Sequence, residues 1–196
     1  MTRLALIRHG HTSWNRAGRI QGRSDIPLDD QARVELAAQR LPAPWSDAVL
    51  WSSPMIRAVD TARLISDRDP KTDPALTEMN WGDFEGGHGK DLIADPNSGY
   101  RHIEDWGWDF RPPNGESPLE IWQRLKPWIA GLTGDNVAVC HIGIMRVILA
   151  RAHGWDFDGP APFKVKRNRL FIVDIAPDGM IADPDPVRLD KRDTPA

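Results

Sequence analysis

Short unbroken apolar runs alternate along the chain with segments whose apolar residues recur every three or four positions. Residues 4–7, 48–51, 137–140 and 170–173 are runs of the first kind, and they predict strands buried on both faces. Helical spacing follows in three places. Asp29 or Asp30 can cap a helix carrying Val34, Ala37, Ala38 and Leu41, which Pro42-Ala43-Pro44 stops. Ser53-Pro54 reads as cap and first turn of a helix with Ala58, Ala62 and Ile65 inward. Ser117-Pro118-Leu119-Glu120 is a capping box opening a helix with Leu119, Trp122, Leu125, Ile129 and Leu132, which Pro127 can kink. A further apolar helix is predicted from about Ile144 to Ala152.

Strands alternating with helices predict a three-layer α/β/α sandwich around a mainly parallel sheet. Residues 80–115 break the pattern, with glycines, Trp81, Trp106, Trp108, His88 and His102 in little periodicity; they read as an irregular insertion over one end of the sheet. One domain is expected over residues 1–182, followed by a solvated polar tail over 183–196. In sheets of this kind ligands sit beyond the carboxyl ends of the strands. Two predicted strands end there in histidine, His9 and His141.

Composition narrows the function classes. The 196 residues include 25 Lys and Arg against 28 Asp and Glu, a net charge of -3, which removes the bulk electrostatic case for nucleic acid or an anionic membrane as partner. A single cysteine, Cys140, excludes an internal disulfide framework and a cysteine-built zinc finger. No long apolar run or leader pattern is visible, so a cytoplasmic location is expected.

The chemistry-bearing residues begin with Arg8-His9-Gly10-His11-Thr12 and Asn15. Arginine offers a planar fork to phosphate or carboxylate oxygens, and a neutral imidazole is a competent nucleophile near neutral pH. Gly10 is expected to let the backbone approach a ligand. Two other readings are open. His9 and His11 stand in His-x-His spacing, as metal ligands can. Cys140 and Arg146 stand in Cys-x5-Arg spacing between strand and helix, the arrangement of cysteine-dependent phosphatases, although the residues between them are bulky.

The order of motifs resembles the histidine phosphatase superfamily, which includes cofactor-dependent phosphoglycerate mutases and fructose-2,6-bisphosphatases. After Arg8-His9-Gly10 come Gly18-Arg19-Ile20-Gln21-Gly22, Asp25 and Pro27-Leu28, then Ser52-Ser53-Pro54-Met55-Ile56-Arg57-Ala58 with Thr61-Ala62. Leu76-Thr77-Glu78, Trp81-Gly82-Asp83-Phe84-Glu85-Gly86, Gly115-Glu116-Ser117 with Arg124, and Val139-Cys140-His141-Ile142-Gly143 complete the series. The resemblance implies that His9 is a transiently phosphorylated nucleophile. Arg8, Arg57 and His141 would clamp the phosphoryl oxygens, and Glu78 would protonate the leaving alcohol, with Glu85 its competitor. Thr12, Asn15, Gln21, Gly22 and Ile142 would bind the substrate. The implied activity is hydrolysis of a small-molecule phosphate ester with no metal and no cofactor; phosphoglycerate mutation and phosphate binding without turnover are the alternatives. Two positions depart from the family pattern. His11 stands where Glu or Gln is usual, and Ile142 replaces a glycine, a strained choice if that position needs positive φ. In the insertion Tyr100, Trp106, Trp108 and Arg111 either shape a substrate pocket or pack.

Overall fold

The computed structural model describes residues 2–192. Its sheet contains β1 (Thr2–Arg8), β3 (Val49–Ser52), β4 (Lys71–Thr72), β5 (Asp135–Cys140), β6 (Arg169–Ala176), β7 (Gly179–Ala182) and β8 (Val187–Arg188), and β2 (Gln39–Arg40) pairs separately with β9 (Asp190–Lys191). The order is β4-β3-β5-β1-β6-β7, parallel from β4 to β1 and antiparallel beyond, with β8 on β6. Among the described residues there are six α-helices: α1 (Ser13–Arg16), α2 (Asp30–Ala37), α3 (Ile56–Ser66), α4 (Gly89–Ala94), α5 (Pro118–Ala130) and α6 (Ile142–His153).

The pleat sorts the apolar runs into two cores. Leu4, Leu6, Ala138 and Cys140 join Ile121 and Leu125 of α5 and Ile144 and Ile148 of α6 on one face. Ala5, Ile7, Val137 and Val139 meet Leu36 of α2 and Ala58, Ala62 and Ile65 of α3 on the other. Each fully buried aliphatic side chain contributes about 1.5–3 kcal/mol. The three layers follow from this alternation, because a central strand apolar at every position needs a cover on both sides.

The same topology positions a site. Arg8 pairs with Cys140 in parallel register, so the chain leaves the sheet at His9 and His141 side by side. From β1 it turns to the α2 face and from β5 to the α6 face, which opens a crevice between neighbouring strands. Ser52 pairs with Val139, which brings Ser53 to the same edge.

Several expected details differ. α2 turns Ala32 and Leu36 inward and leaves Val34 72% exposed, because the helix ends at Ala37 and Leu41 is buried from the segment beyond it. α3 starts at Ile56, not at Ser53-Pro54; the Asp25 carboxylate, from a distant loop, accepts the Ile56 N–H (2.9 Å). α6 begins at Ile142, two residues early. Within the expected tail, residues 187–188 and 190–191 are strand-paired, because Leu189 between them is buried in the helix-side core; residues 193–196 lie outside the described residues. Among the described residues no helix is long and apolar enough to cross a membrane.

Candidate active site

His9 leaves β1 with a buried ring whose Nδ1 lies 2.6 Å from the Gly10 carbonyl oxygen. A carbonyl can only accept, so Nδ1 carries the proton and Nε2 keeps its lone pair. Burial, with Arg57, Arg8 and Arg167 nearby, holds this imidazole well below its ordinary value. The ring is therefore neutral with one free nitrogen, the form a nucleophile needs. Gly10 does not serve close approach to a ligand: a Cβ there would meet Leu36 Cδ1 at 2.7 Å and Leu28 Cδ2 at 3.1 Å, so the glycine admits the helix-side core.

His141 sits against it, the ring centroids 5.1 Å apart. Arg57 Nε donates to His141 Nδ1 (3.3 Å), which places the remaining proton on Nε2, directed at Ser53 Oγ (2.8 Å). Arg57 is fully buried on α3, and its other nitrogens donate to the carbonyls of Ser24 (2.9 Å) and Gly22 (2.8 Å). The second arginine thus braces the 22–24 loop and the second histidine together. Ser53, expected as a helix cap, belongs to this cluster instead.

The two candidate carboxylates have opposite surroundings. Glu78 is 2% exposed, and burial raises its pKa against the pull of the Met79 and Gly143 N–H groups, Arg57 and Arg8. Its Oε1 accepts from Met79 N (2.8 Å) and Gly143 N (3.1 Å), so it caps α6 from a distant segment, as Asp25 caps α3. Gly143 leaves room for this carboxylate, since a Cβ there would press on Glu78 Oε1 and stand 3.2 Å from Met79 Cβ. Arg124 fixes the strap before Glu78, donating to Glu116 (2.7 Å) and to the carbonyls of Ala75 and Thr77. Glu85 is less buried; its burial penalty is outweighed by donors from Ser24, Arg23 and Gly22, which hold its carboxyl below the usual range. It is an anionic brace of a loop.

A cleft of about 150 Å³ opens over these groups, lined by Arg8, His9, Asn15, Arg19, Ile20, Gln21, Glu78, Trp81 and Ile142. Two of the lining residues carry buried donors without partners, Arg8 Nε and Gln21 Nε2. Burial and the neighbouring Arg167 lower the Arg8 guanidinium to about 9. Orphaned buried donors are costly, and an anion satisfies them. Thr12 from behind and Asn15 from the cleft wall hold Gln21: Thr12 Oγ1 (2.8 Å) and Asn15 Nδ2 (3.1 Å) both donate to Gln21 Oε1. Gly22 does not line the cleft; it packs against Glu85, Met79 and Trp81. Ile142 lines it as the first residue of α6 and is absent from the positive-φ residues, so its branched side chain is unstrained.

One residue escaped the sequence reading. Arg167, just before β6, donates from Nε to the His9 carbonyl (3.1 Å) and from Nη2 to Asn15 Oδ1 (2.9 Å). No motif marks it; its only signal is a basic stretch over residues 164–169.

The competing chemistries lose their geometry. Cys140 is buried in the core beneath α5 and α6, and burial drives its thiol pKa up, away from the thiolate a nucleophile needs. Among the described residues no group of three or more His, Cys, Asp or Glu side chains could hold a metal ion. In the insertion, Trp106 stacks on Phe110 (5.0 Å), Trp108 Nε1 donates to Asp156 (2.6 Å), Tyr100 stacks on Trp81 (6.2 Å) and Arg111 bonds Glu120. These four pack, and Trp81 forms the wall of the cleft.

Comparison with known proteins places these features in a family context. Residues 4–183 match the model of the histidine phosphatase superfamily (branch 1). The chain is 34% identical over 186 residues to the adenosylcobalamin/alpha-ribazole phosphatase of Escherichia coli, covering 88% of this chain and 90% of that one. It is 31% identical over 157 residues to the glucosyl-3-phosphoglycerate phosphatase of Mycolicibacterium vanbaalenii, covering 78% and 69%. The crystal structure of a phosphoglycerate mutase from Thermus thermophilus superposes with a TM-score of 0.73 at 29% identity, covering 96% of this chain and 99% of that one.

Proposed function

The chain belongs to the histidine phosphatase superfamily, and from that premise we propose that it hydrolyses a small phosphomonoester, without a metal, through a phosphohistidine at His9 Nε2. The observation that carries this reading is the His9 Nδ1 contact to the Gly10 carbonyl, which leaves Nε2 as the free nitrogen beside two unpartnered donors. The names of the phosphatase relatives support hydrolysis as the reaction.

Phosphoryl transfer asks for alignment and for neutralisation of three equatorial oxygens. His9 Nε2 attacks phosphorus, and the ester P–O bond breaks. Arg8 and Gln21 supply donors to the oxygens, and the Arg57 guanidinium adds positive charge from behind while its nitrogens hold His141 and the 22–24 loop in place. Glu78, whose pKa burial raises, is the acid of this reading, and its protonated form gives its proton to the departing alkoxide. Water then attacks the phosphohistidine and yields a proton to the Glu78 carboxylate, which restores His9, the acid and free phosphate. The phosphoglycerate mutase structure among the neighbours favours a second reading, in which the same phosphohistidine returns its phosphoryl group to substrate.

The test is hydrolysis of p-nitrophenyl phosphate in EDTA from about pH 5 to 8, wild type beside His9→Ala, with phosphate incorporation followed in both. Turnover and labelling that vanish together in the variant support the hydrolase. Phosphoglycerate interconversion dependent on bisphosphoglycerate, with slow net phosphate release, selects the mutase. Unimpaired turnover by His9→Ala overturns both.

A further inference from the structure

Arg167 brings a positive charge behind the nucleophile and directs it at neutral oxygens, the His9 carbonyl and Asn15 Oδ1. Burial, with Arg16 nearby, lowers its pKa to about 10, so the contact is kept against a desolvation cost. Its geometry has a consequence for a residue it does not touch. A guanidinium nitrogen can only donate, so the Asn15 amide must turn its oxygen to Arg167 and its nitrogen away. That nitrogen meets Gln21 Oε1 at 3.1 Å, and Thr12 Oγ1 meets the same oxygen at 2.8 Å. With its oxygen engaged by two donors, the amide of Gln21, a residue that lines the cleft, has one end left, the buried and unpartnered Nε2.

We infer that Arg167 is a positioning residue that acts through Asn15 to fix the polarity of the Gln21 amide, so that Gln21 presents NH2 rather than oxygen to the transferring phosphoryl group. This rests on the phosphohistidine reading of the same cleft. Without the guanidinium only the longer contact from the Thr12 N–H (3.3 Å) holds Asn15 Oδ1, and a reversed Asn15 amide would set oxygen against oxygen unless Gln21 also reversed. Gln21 would then point an acceptor at an anionic oxygen, replacing attraction by repulsion where charge develops. The chain of donors runs in one direction, Arg167 to Asn15 to Gln21 to substrate.

The experiment is a double-mutant cycle on p-nitrophenyl phosphate turnover with Arg167→Met, Gln21→Leu and the pair. Each single variant is expected to lose about 10²-fold in kcat, as for removal of one preorganised donor, with KM nearly unchanged. The double variant should be no slower than the slower single one. Additive losses, or wild-type kcat in Arg167→Met, overturn the relay. Asn15→Asp keeps an ion pair to Arg167 and the cap on α1 but places oxygen against Gln21; the folded variant should show the same kcat loss, and wild-type kcat in it overturns the proposal. His9→Ala measured alongside separates the two levels. Retained turnover there removes the phosphohistidine reading itself, whereas lost turnover with additive effects removes only the role of Arg167.

Discussion

The cleft beyond β1 and β5 and the aromatic lobe of residues 80–115 treat polar atoms in opposite ways. In the lobe the indoles of Trp106 and Trp108 donate to the Arg101 carbonyl and to Asp156, while Trp106, Phe110 and Phe157 stack. In the cleft Arg8 Nε and Gln21 Nε2 are buried with no partner, and a carboxyl group is buried with a raised pKa. A satisfied region is built to be stable by itself. A region left unsatisfied is built for something that arrives, and its cost is offset by the packing around it.

The sharpest break of this comparison is His9→Ala. It should lower turnover roughly 10⁴- to 10⁶-fold, as loss of a nucleophile does, while leaving the denaturation midpoint close to wild type. A large stability loss instead would show that the histidine is a packing residue. Glu78→Gln comes next, with a loss of about 10²- to 10⁴-fold on alkyl phosphates and much less on p-nitrophenyl phosphate, whose leaving group needs no proton. An equal loss on both would remove Glu78 as the acid. Its pH profile sharpens the point. His9 acts neutral and its pKa is depressed below the ordinary 6.5, so the acid limb lies below that pH. Glu78 acts protonated and its pKa is raised above 4.5, so activity on alkyl esters falls as pH rises through that raised value, a limb that Glu78→Gln lacks.

The lobe should answer in stability rather than in rate. Trp106→Ala removes a side chain 4% exposed and should cost about 3–5 kcal/mol in urea denaturation, with kcat at saturating substrate changed only a few-fold. A kcat loss as deep as that of Glu78→Gln would show that the lobe is part of the catalytic machinery. Cys140→Ala should have the smallest effect on turnover, within about twofold, since its buried sulfur belongs to the core. Abolished turnover in a folded Cys140→Ala protein would restore the cysteine mechanism.

What could be read from the sequence follows the same division. Apolar runs ending in histidine announced both strands and the residues they deliver, because burial on two faces leaves few sequence solutions. Glu78 and Glu85 could not be separated that way; burial and the donors each meets distinguish them, and neither is a local property. Arg167 was illegible for a similar reason, since its importance comes from a loop brought back across the molecule. Ser53-Pro54 misled because a true cap signal sits where the serine is claimed by His141 and a distant aspartate caps the helix. Val34 misled because the helical period was carried past the real helix end.

The pairing of Arg8 with Cys140 makes the spacing of the two histidines a matter of strand register rather than of loop shape. Spacing of that kind changes only in whole-residue steps, each of which would turn a core strand inside out, so it cannot drift gradually. The lobe of residues 80–115 is held by side-chain packing rather than by strand register and is under no such restriction. The separation of the two histidines is therefore a fixed fixture of the sheet, and the lobe that walls the cleft can be rewritten without disturbing it.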